Sequence, residues 1–262
     1  VNRIKECFDA LKAKRKKAFV GYVLSGFPDH VGSLELAQGL LDNGADLLEI
    51  GVPFSDPIAD GVVIQRCAEL ALKNGGGMHS ALELAKALRA RSAKPLLLMT
   101  YLNPILSCGE ESFARAAAEA GIDGVIIPDL TPEESAVLRG ALKARGLEII
   151  FLAAPTSTPE RLKKIAAAAS GFVYMVSVAG VTGERSVFDS RLGGAIAKLR
   201  RLSKLPLAVG FGVSSPESAK EAASLGDGVV VASTILKVFL DGQGMGEALE
   251  KAKSLIEAAH AA

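Results

Sequence analysis

The sequence predicts an α/β chain folded as one closed (β/α)8 barrel of the TIM type, with an extra helix at its N terminus and residues 1–262 forming a single domain. Three observations predict it. One phrase recurs in which an amphipathic or alanine-rich helix ends at glycine, a polar residue follows, and a short β-branched run comes next, as in residues 36–53, 113–129 and 218–233. Eight short runs are continuously apolar rather than alternating, as parallel strands covered by helices on one side and a core on the other should be. Helical patterns stand between consecutive runs, and eight such alternations in a chain of 262 residues suit a closed barrel better than an open sheet.

Taken in order, residues 3–13 form the N-terminal helix, with apolar side chains at helical spacing, and residues 19–24 (FVGYVL) the first strand. Residues 34–41 form a helix and 46–51 (DLLEIG) the second strand. A helix over 80–91 leads to the third strand at 95–101, and the alanine-rich 111–119 to the fourth at 124–128. Helices over 132–144, 160–168, 192–201 and 216–224 then precede strands at 148–153, 172–177, 207–211 and 228–232, and a last helix covers 245–259. Gly44, Gly121 and Gly226 stand where a helix C terminus takes a left-handed residue. The three glycines at 75–77 follow a helix and read as a turn.

Composition narrows the function. The 30 basic and 29 acidic side chains nearly cancel, which removes the positive field that a nucleic-acid or anionic-membrane binder carries. The partners expected are small molecules or proteins, with no nucleic acid and no membrane. Three separated cysteines, Cys7, Cys67 and Cys108, form no CxxC pair and point to a reducing cytoplasm. The apolar run at 19–24 behind the basic residues of 12–17 is shorter than the ~7 to 15 residues of a signal-peptide core. His30, His79 and His260 have no ligand spacing with Cys, Asp or Glu, so no metal is expected, and each reads as an exposed or capping histidine. The basic run at 12–17 reads as serving the C-terminal dipole of the first helix.

In such barrels chemistry sits where strands end and the following loops begin. Glu49 interrupts the second strand and shares a face with Leu47 and Gly51. If that face is the interior, desolvation raises its pKa toward that of a working acid or base; a structural carboxylate bonded to a buried partner is the competing reading. The loop after it adds Asp56 and Asp60 in a frame of Pro53 and Pro57, where aspartates also serve as turn formers. Gly210 and Gly212 after strand seven, and Ala232, Ser233 and Thr234 after strand eight, let main-chain N–H groups approach an anion at a helix start, which suits phosphate; the glycines could equally relieve crowding at the rim. The glycine-bearing loop at 178–186 has the composition of a lid or of an ordinary surface loop.

The phrases EIGVPFSDPIADG (49–61), GVIIPD (124–129), FVYMVSVAGVTG (172–183) and VGFG (209–212) resemble, in order and over almost the whole chain, the tryptophan synthase α subunit family. The resemblance implies a carbon–carbon lyase that splits indole-3-glycerol phosphate into indole and glyceraldehyde 3-phosphate in tryptophan biosynthesis. It makes Glu49 the general acid/base and Asp60 the carboxylate facing the indole N–H. It places Tyr22, Ile64, Met99, Tyr174, Thr182 and Phe211 around the substrate, with Thr182 in the lid, and Gly183, Gly212, Ala232 and Ser233 at the phosphate. Ala232 departs from the glycine usual there, and crowds the phosphate if that backbone needs a positive φ. The resemblance further implies no cofactor in this chain. Pyridoxal phosphate belongs to a partner β subunit, joined in an αββα complex, with residues 53–56 and 103–104 touching it. The competing enzyme reading is another phosphate-binding barrel, such as a sugar-phosphate isomerase or epimerase; the competing non-catalytic one is an activating partner for the β subunit.

Overall fold

The computed structural model describes residues 2–176, 190–210 and 212–262. Its eight parallel strands are β1 (Ala18–Leu24), β2 (Leu47–Gly51), β3 (Leu96–Met99), β4 (Gly124–Ile126), β5 (Glu148–Ala153), β6 (Val173–Val176), β7 (Leu207–Gly210) and β8 (Gly228–Val231), paired in sequence order with β8 closing on β1. The expected (β/α)8 TIM barrel is therefore the observed fold. Side chains alternate between two packed layers. Val20, Leu47, Leu97, Ile150 and Ala208 fill the interior, while Phe19, Leu48, Leu98 and Val209 face the surrounding helices.

Around the barrel lie α1 (Arg3–Ala13), α2 (His30–Asp42), α3 (Val62–Lys73), α4 (Met78–Arg89), α5 (Leu102–Cys108), α6 (Glu110–Glu119), α7 (Ala136–Ala144), α8 (Pro159–Ala168), α9 (Ser190–Leu202), α10 (Pro216–Leu225), α11 (Ser233–Leu240) and α12 (Met245–His260). The extra helix α1 closes the N-terminal end of the barrel. Its buried Ile4, Phe8 and Leu11 join the interior layer, and Phe8 packs on Phe172 with ring centroids 5.7 Å apart. The opposite end stays open to the loops that follow the strands. Two helices lie there: α3 (Val62–Lys73), directly after the Asp60 loop, which is the helix expected before the glycine turn at 75–77 though it was given no range, and α5 (Leu102–Cys108), directly after β3, which the sequence reading missed. Ile64, Cys67, Ala68 and Ala71 are the buried residues of α3, at a spacing of three and four that was present in the sequence. The short helix expected at Ser233 is α11 (Ser233–Leu240).

At the closed end a single device recurs at four places. Asp46, just before β2, accepts the Phe19 N–H (2.9 Å); Asp123, before β4, accepts that of Leu96 (2.9 Å); Asp227, before β8, accepts that of Leu207 (2.9 Å). Ser170 does the same for Ile149 between β5 and β6, at 2.9 Å. Each side chain thus satisfies an N–H at the start of an odd-numbered strand from the approach to the next even-numbered one. Three of the four are the polar residue of the recurring phrase or its equivalent.

Three expectations need correction here. Gly44 and Gly121 have φ of 107° and 81°, as a left-handed cap requires, but Gly226 has φ −112°. Gly226 is needed for space: a Cβ there would lie 2.5 Å from the Leu207 carbonyl oxygen. His260 is neither a cap nor fully exposed, since its Nε2 lies 2.8 Å from Asp46 Oδ2. The basic run also does more than serve a helix dipole, because Lys17 Nζ donates to the Gly226 carbonyl (2.8 Å).

Candidate active site

Strand register brings the chemistry together. Tyr22 and Glu49 are neighbours across β1 and β2, Gly51 and Met99 across β2 and β3, and Leu152 and Tyr174 across β5 and β6. Leu47 belongs to the interior layer, so Glu49, two residues on, points inward as well. The resulting cavity lies at the open end of the barrel. Glycines give the tyrosines their places. A Cβ on Gly51 would clash with the Tyr22 hydroxyl, and one on Gly210 with the Tyr174 hydroxyl. Gly210 therefore makes room for a pocket side chain, in line with the crowding alternative, and only Gly212 of the two reaches the cavity.

Glu49 is 4% exposed, and its Oε2 has no hydrogen-bond partner among the described residues. A buried carboxylate left in this way is held toward its neutral form. Burial, and then the charge of Asp60, push its pKa up to about 8. Asp60 is half-buried and is also pushed up, to about 6, by burial; the hydrogen bond from Tyr101 acts in the opposite direction. At neutral pH the pair therefore holds one acid and one base. Environments that drive two carboxyls apart in this way are how a site assigns an acid and a base to the same residue type.

The other part of the cavity carries no charge. Gly212, Val213, Ala232 and Ser233 line it, and no lysine, arginine or histidine does so among the described residues. Gly212 has φ +77°, which turns the chain after β7, and Ala232 is the N-cap of α11 with no side-chain bond to the helix. The first N–H groups of that helix are available to an anion. Ala232 sits at φ −125°, so its Cβ fits without strain and the crowding feared from a glycine-to-alanine departure does not arise there. Thr234 Oγ1 donates to the Val213 carbonyl, tying the two loops together.

Of the residues named from sequence, Glu49, Asp60, Tyr22, Ile64, Met99, Tyr174, Gly212, Ala232 and Ser233 line this one cavity. Thr182, Gly183 and Phe211 lie outside the described residues. Sequence reasoning missed Tyr101, whose hydroxyl donates to Asp60 Oδ2 (3.0 Å) and accepts from the Ala59 N–H (3.1 Å). The signal was available: Leu97, Met99 and Tyr101 fall on one face by period two. Among the described residues no three His, Cys, Asp or Glu side chains gather as metal ligands do. No helix among them is long and apolar enough to cross a membrane.

The family model described as tryptophan synthase alpha chain matches residues 8–261. The tryptophan synthase alpha chain of Citrifermentans bemidjiense is 45% identical over 258 residues, covering 98% of this chain and 96% of its own. Among solved structures, tryptophan synthase subunit alpha from Legionella pneumophila superposes with a TM-score of 0.91 at 35% identity, covering 100% of both chains. Tryptophan synthase from Mycobacterium tuberculosis does so with a TM-score of 0.91 at 35% identity, covering 99% of each.

Proposed function

This chain belongs to the tryptophan synthase alpha chain family, and from that premise we propose that it is a carbon–carbon lyase cleaving indole-3-glycerol phosphate to indole and glyceraldehyde 3-phosphate. The observation that carries the reading is the buried Glu49 carboxyl, unpartnered at Oε2 among the described residues and sharing a cavity with Asp60. Glu49 begins protonated and gives its proton to C3 of the indole. Positive charge develops at the ring nitrogen, where the Asp60 carboxylate stabilises it. The Glu49 carboxylate then takes the proton from the hydroxyl on the carbon bonded to C3. The C–C bond breaks, its electrons return to the ring, and Glu49 ends protonated again. One group thus moves both protons, and the reaction needs no cofactor from this chain.

The phosphate is received by N–H groups around Gly212 and at the start of α11, next to Ala232 and Ser233, and by Gly183. Tyr22, Ile64, Met99 and Tyr174 enclose the rest of the substrate, and by family resemblance Thr182 and Phe211 join them. The chain works as one cytoplasmic domain. The released indole passes to a pyridoxal-phosphate β subunit in an αββα complex, seated on residues 53–56 and 103–104. Exposed apolar side chains nearby, Ile58, Val62 and Leu106, support a partner on this rim. Incubating the full chain with indole-3-glycerol phosphate should release indole, faster when β subunit is added. A chain that releases none, alone or with the β subunit, overturns the reading.

A further inference from the structure

Asp60 sits in an irregular loop between β2 and α3, yet the proposed chemistry needs its carboxylate at one place. Its backbone is held by the bond from its own N–H to the Pro57 carbonyl (3.0 Å) and by Gln65 Nε2 on its carbonyl (2.8 Å). Its carboxylate is held by Tyr101. The Tyr101 hydroxyl accepts the Ala59 N–H at 3.1 Å, so its own proton is free to point at Asp60 Oδ2, 3.0 Å away. A hydroxyl has one proton to give, and a fixed donor on its acceptor side settles where that proton goes. Tyr101 is itself well anchored. It is 1% exposed, it packs in the interior layer two residues beyond β3 as the N-cap of α5, and Asp129 accepts the N–H of the next residue, Leu102, at 3.0 Å. Its ring stacks on Phe54, with centroids 5.2 Å apart and planes at 28°. Phe54 is half-buried, and the next two residues, Ser55 and Asp56, are exposed.

We propose that Tyr101 is the positioning residue for Asp60, and that its stacking on Phe54 joins that carboxylate to the surface segment at residues 53–56. The inference rests on the lyase reading for its kinetic consequences, though the hydrogen bond can be tested without substrate. A body seated on the 53–56 segment bears on Phe54, Phe54 on the Tyr101 ring, and the hydroxyl carries the displacement to Asp60. Tyr101 touches no reacting atom in this account and acts through the carboxylate alone.

Tyr101→Phe keeps the ring and the stacking and removes only the hydroxyl. The Tyr101 bond favours the ionised carboxylate, so its loss lets the Asp60 pKa rise. In an NMR titration of the full chain, the Asp60 carboxyl of the variant should titrate about one pH unit higher than in the parent. In indole release, kcat should fall roughly ten-fold with KM nearly unchanged, and the acid limb of the pH profile should move upward by the same interval. Phe54→Leu, which removes the stacking and keeps the hydroxyl, should move the acid limb in the same direction by less. An Asp60 titration unmoved in Tyr101→Phe overturns the positioning role, whether or not indole is formed. An acid limb in Phe54→Leu identical to the parent's overturns the link to the surface. Absence of indole from the parent chain, with the titration shifted as expected, overturns the lyase reading and leaves the positioning role standing.

Discussion

Glu49 and Asp123 are carboxylates buried to almost the same degree, 4% and 6% exposed, at opposite ends of one barrel. Asp123 accepts from Arg3 (2.9 Å), from Arg89 (2.6 Å) and from the Leu96 N–H (2.9 Å). Among the described residues, Glu49 keeps one oxygen without a partner. The closed end thus spends its buried charge on holding strands together. At the open end the same chemical group is left unsatisfied, which costs stability and leaves a proton ready to move. The difference teaches that burial alone does not mark a carboxylate for chemistry; among the described residues, the missing partner is what makes Glu49 the candidate and Asp123 a structural group.

The largest effect that sharpens this contrast is on turnover. Glu49→Gln should lower indole release by about 10³-fold, within the range that a lost general acid/base contributes, while a phosphate-bearing ligand still binds. Near-parental turnover in that variant would remove Glu49 from the mechanism. Asp123→Ala should do the reverse. Leaving Arg89 and the Leu96 N–H without their buried acceptor should cost about 3 kcal/mol in urea unfolding, with turnover per folded molecule unchanged. If Asp123→Ala instead lost turnover at full stability, the division between the two ends would fail.

The pH dependence should carry both carboxyls of the open end. Asp60 must be ionised, so activity should fall as pH drops through about 6, and Glu49 must begin protonated, so it should fall again as pH rises through about 8. The sign for stability follows from the same shift. The folded Glu49 pKa is raised above its ordinary 4.5, so its contribution is complete below 4.5 and is lost as pH rises toward 8. The loss should reach up to about 1.4 kcal/mol per pH unit in that window. Unfolding of the parent and of Glu49→Gln at pH 5 and pH 8 should show the glutamine variant gaining relative stability at the higher pH. Parallel behaviour of the two would mean that the folded Glu49 does not hold its proton. The smallest effect is expected at Ser170, where removing the hydroxyl that accepts the Ile149 N–H should cost about 1 kcal/mol and leave the rate alone. A rate change there would show that the closed end reaches the chemistry.

Much of this is legible in the amino-acid sequence. All eight strands stood out because continuous apolar runs between helices leave little else for the chain to do, and Glu49 stood out because it breaks such a run. The polar residue after the phrase glycine was equally visible at Asp46, Asp123 and Asp227. Its job was not, because the N–H each one accepts belongs to a neighbouring strand twenty or more residues earlier. Helix α3 is marked in the sequence by the glycine turn that follows it and by its regular buried spacing, whereas its start is not, because no capping side chain stands at Gly61. Tyr101 was read only as the end of a strand. Its hydroxyl gains meaning from Ala59 and Asp60, and no local pattern connects residues 41 positions apart.

The four links at the closed end also bear on how the chain finds its fold. They join residues 27, 27, 21 and 20 positions apart. Loops of that length are cheap to close, and the cost grows only slowly with length. Each odd strand can therefore secure its even neighbour within one short stretch of chain, giving four two-strand quarters of low contact order. The seam that completes the ring is of another kind: Lys17 reaches Gly226 across 209 residues. On closure cost alone the quarters should form before the seam, so the cavity that holds Glu49, bounded by strands from every quarter, should take shape only when the ring shuts.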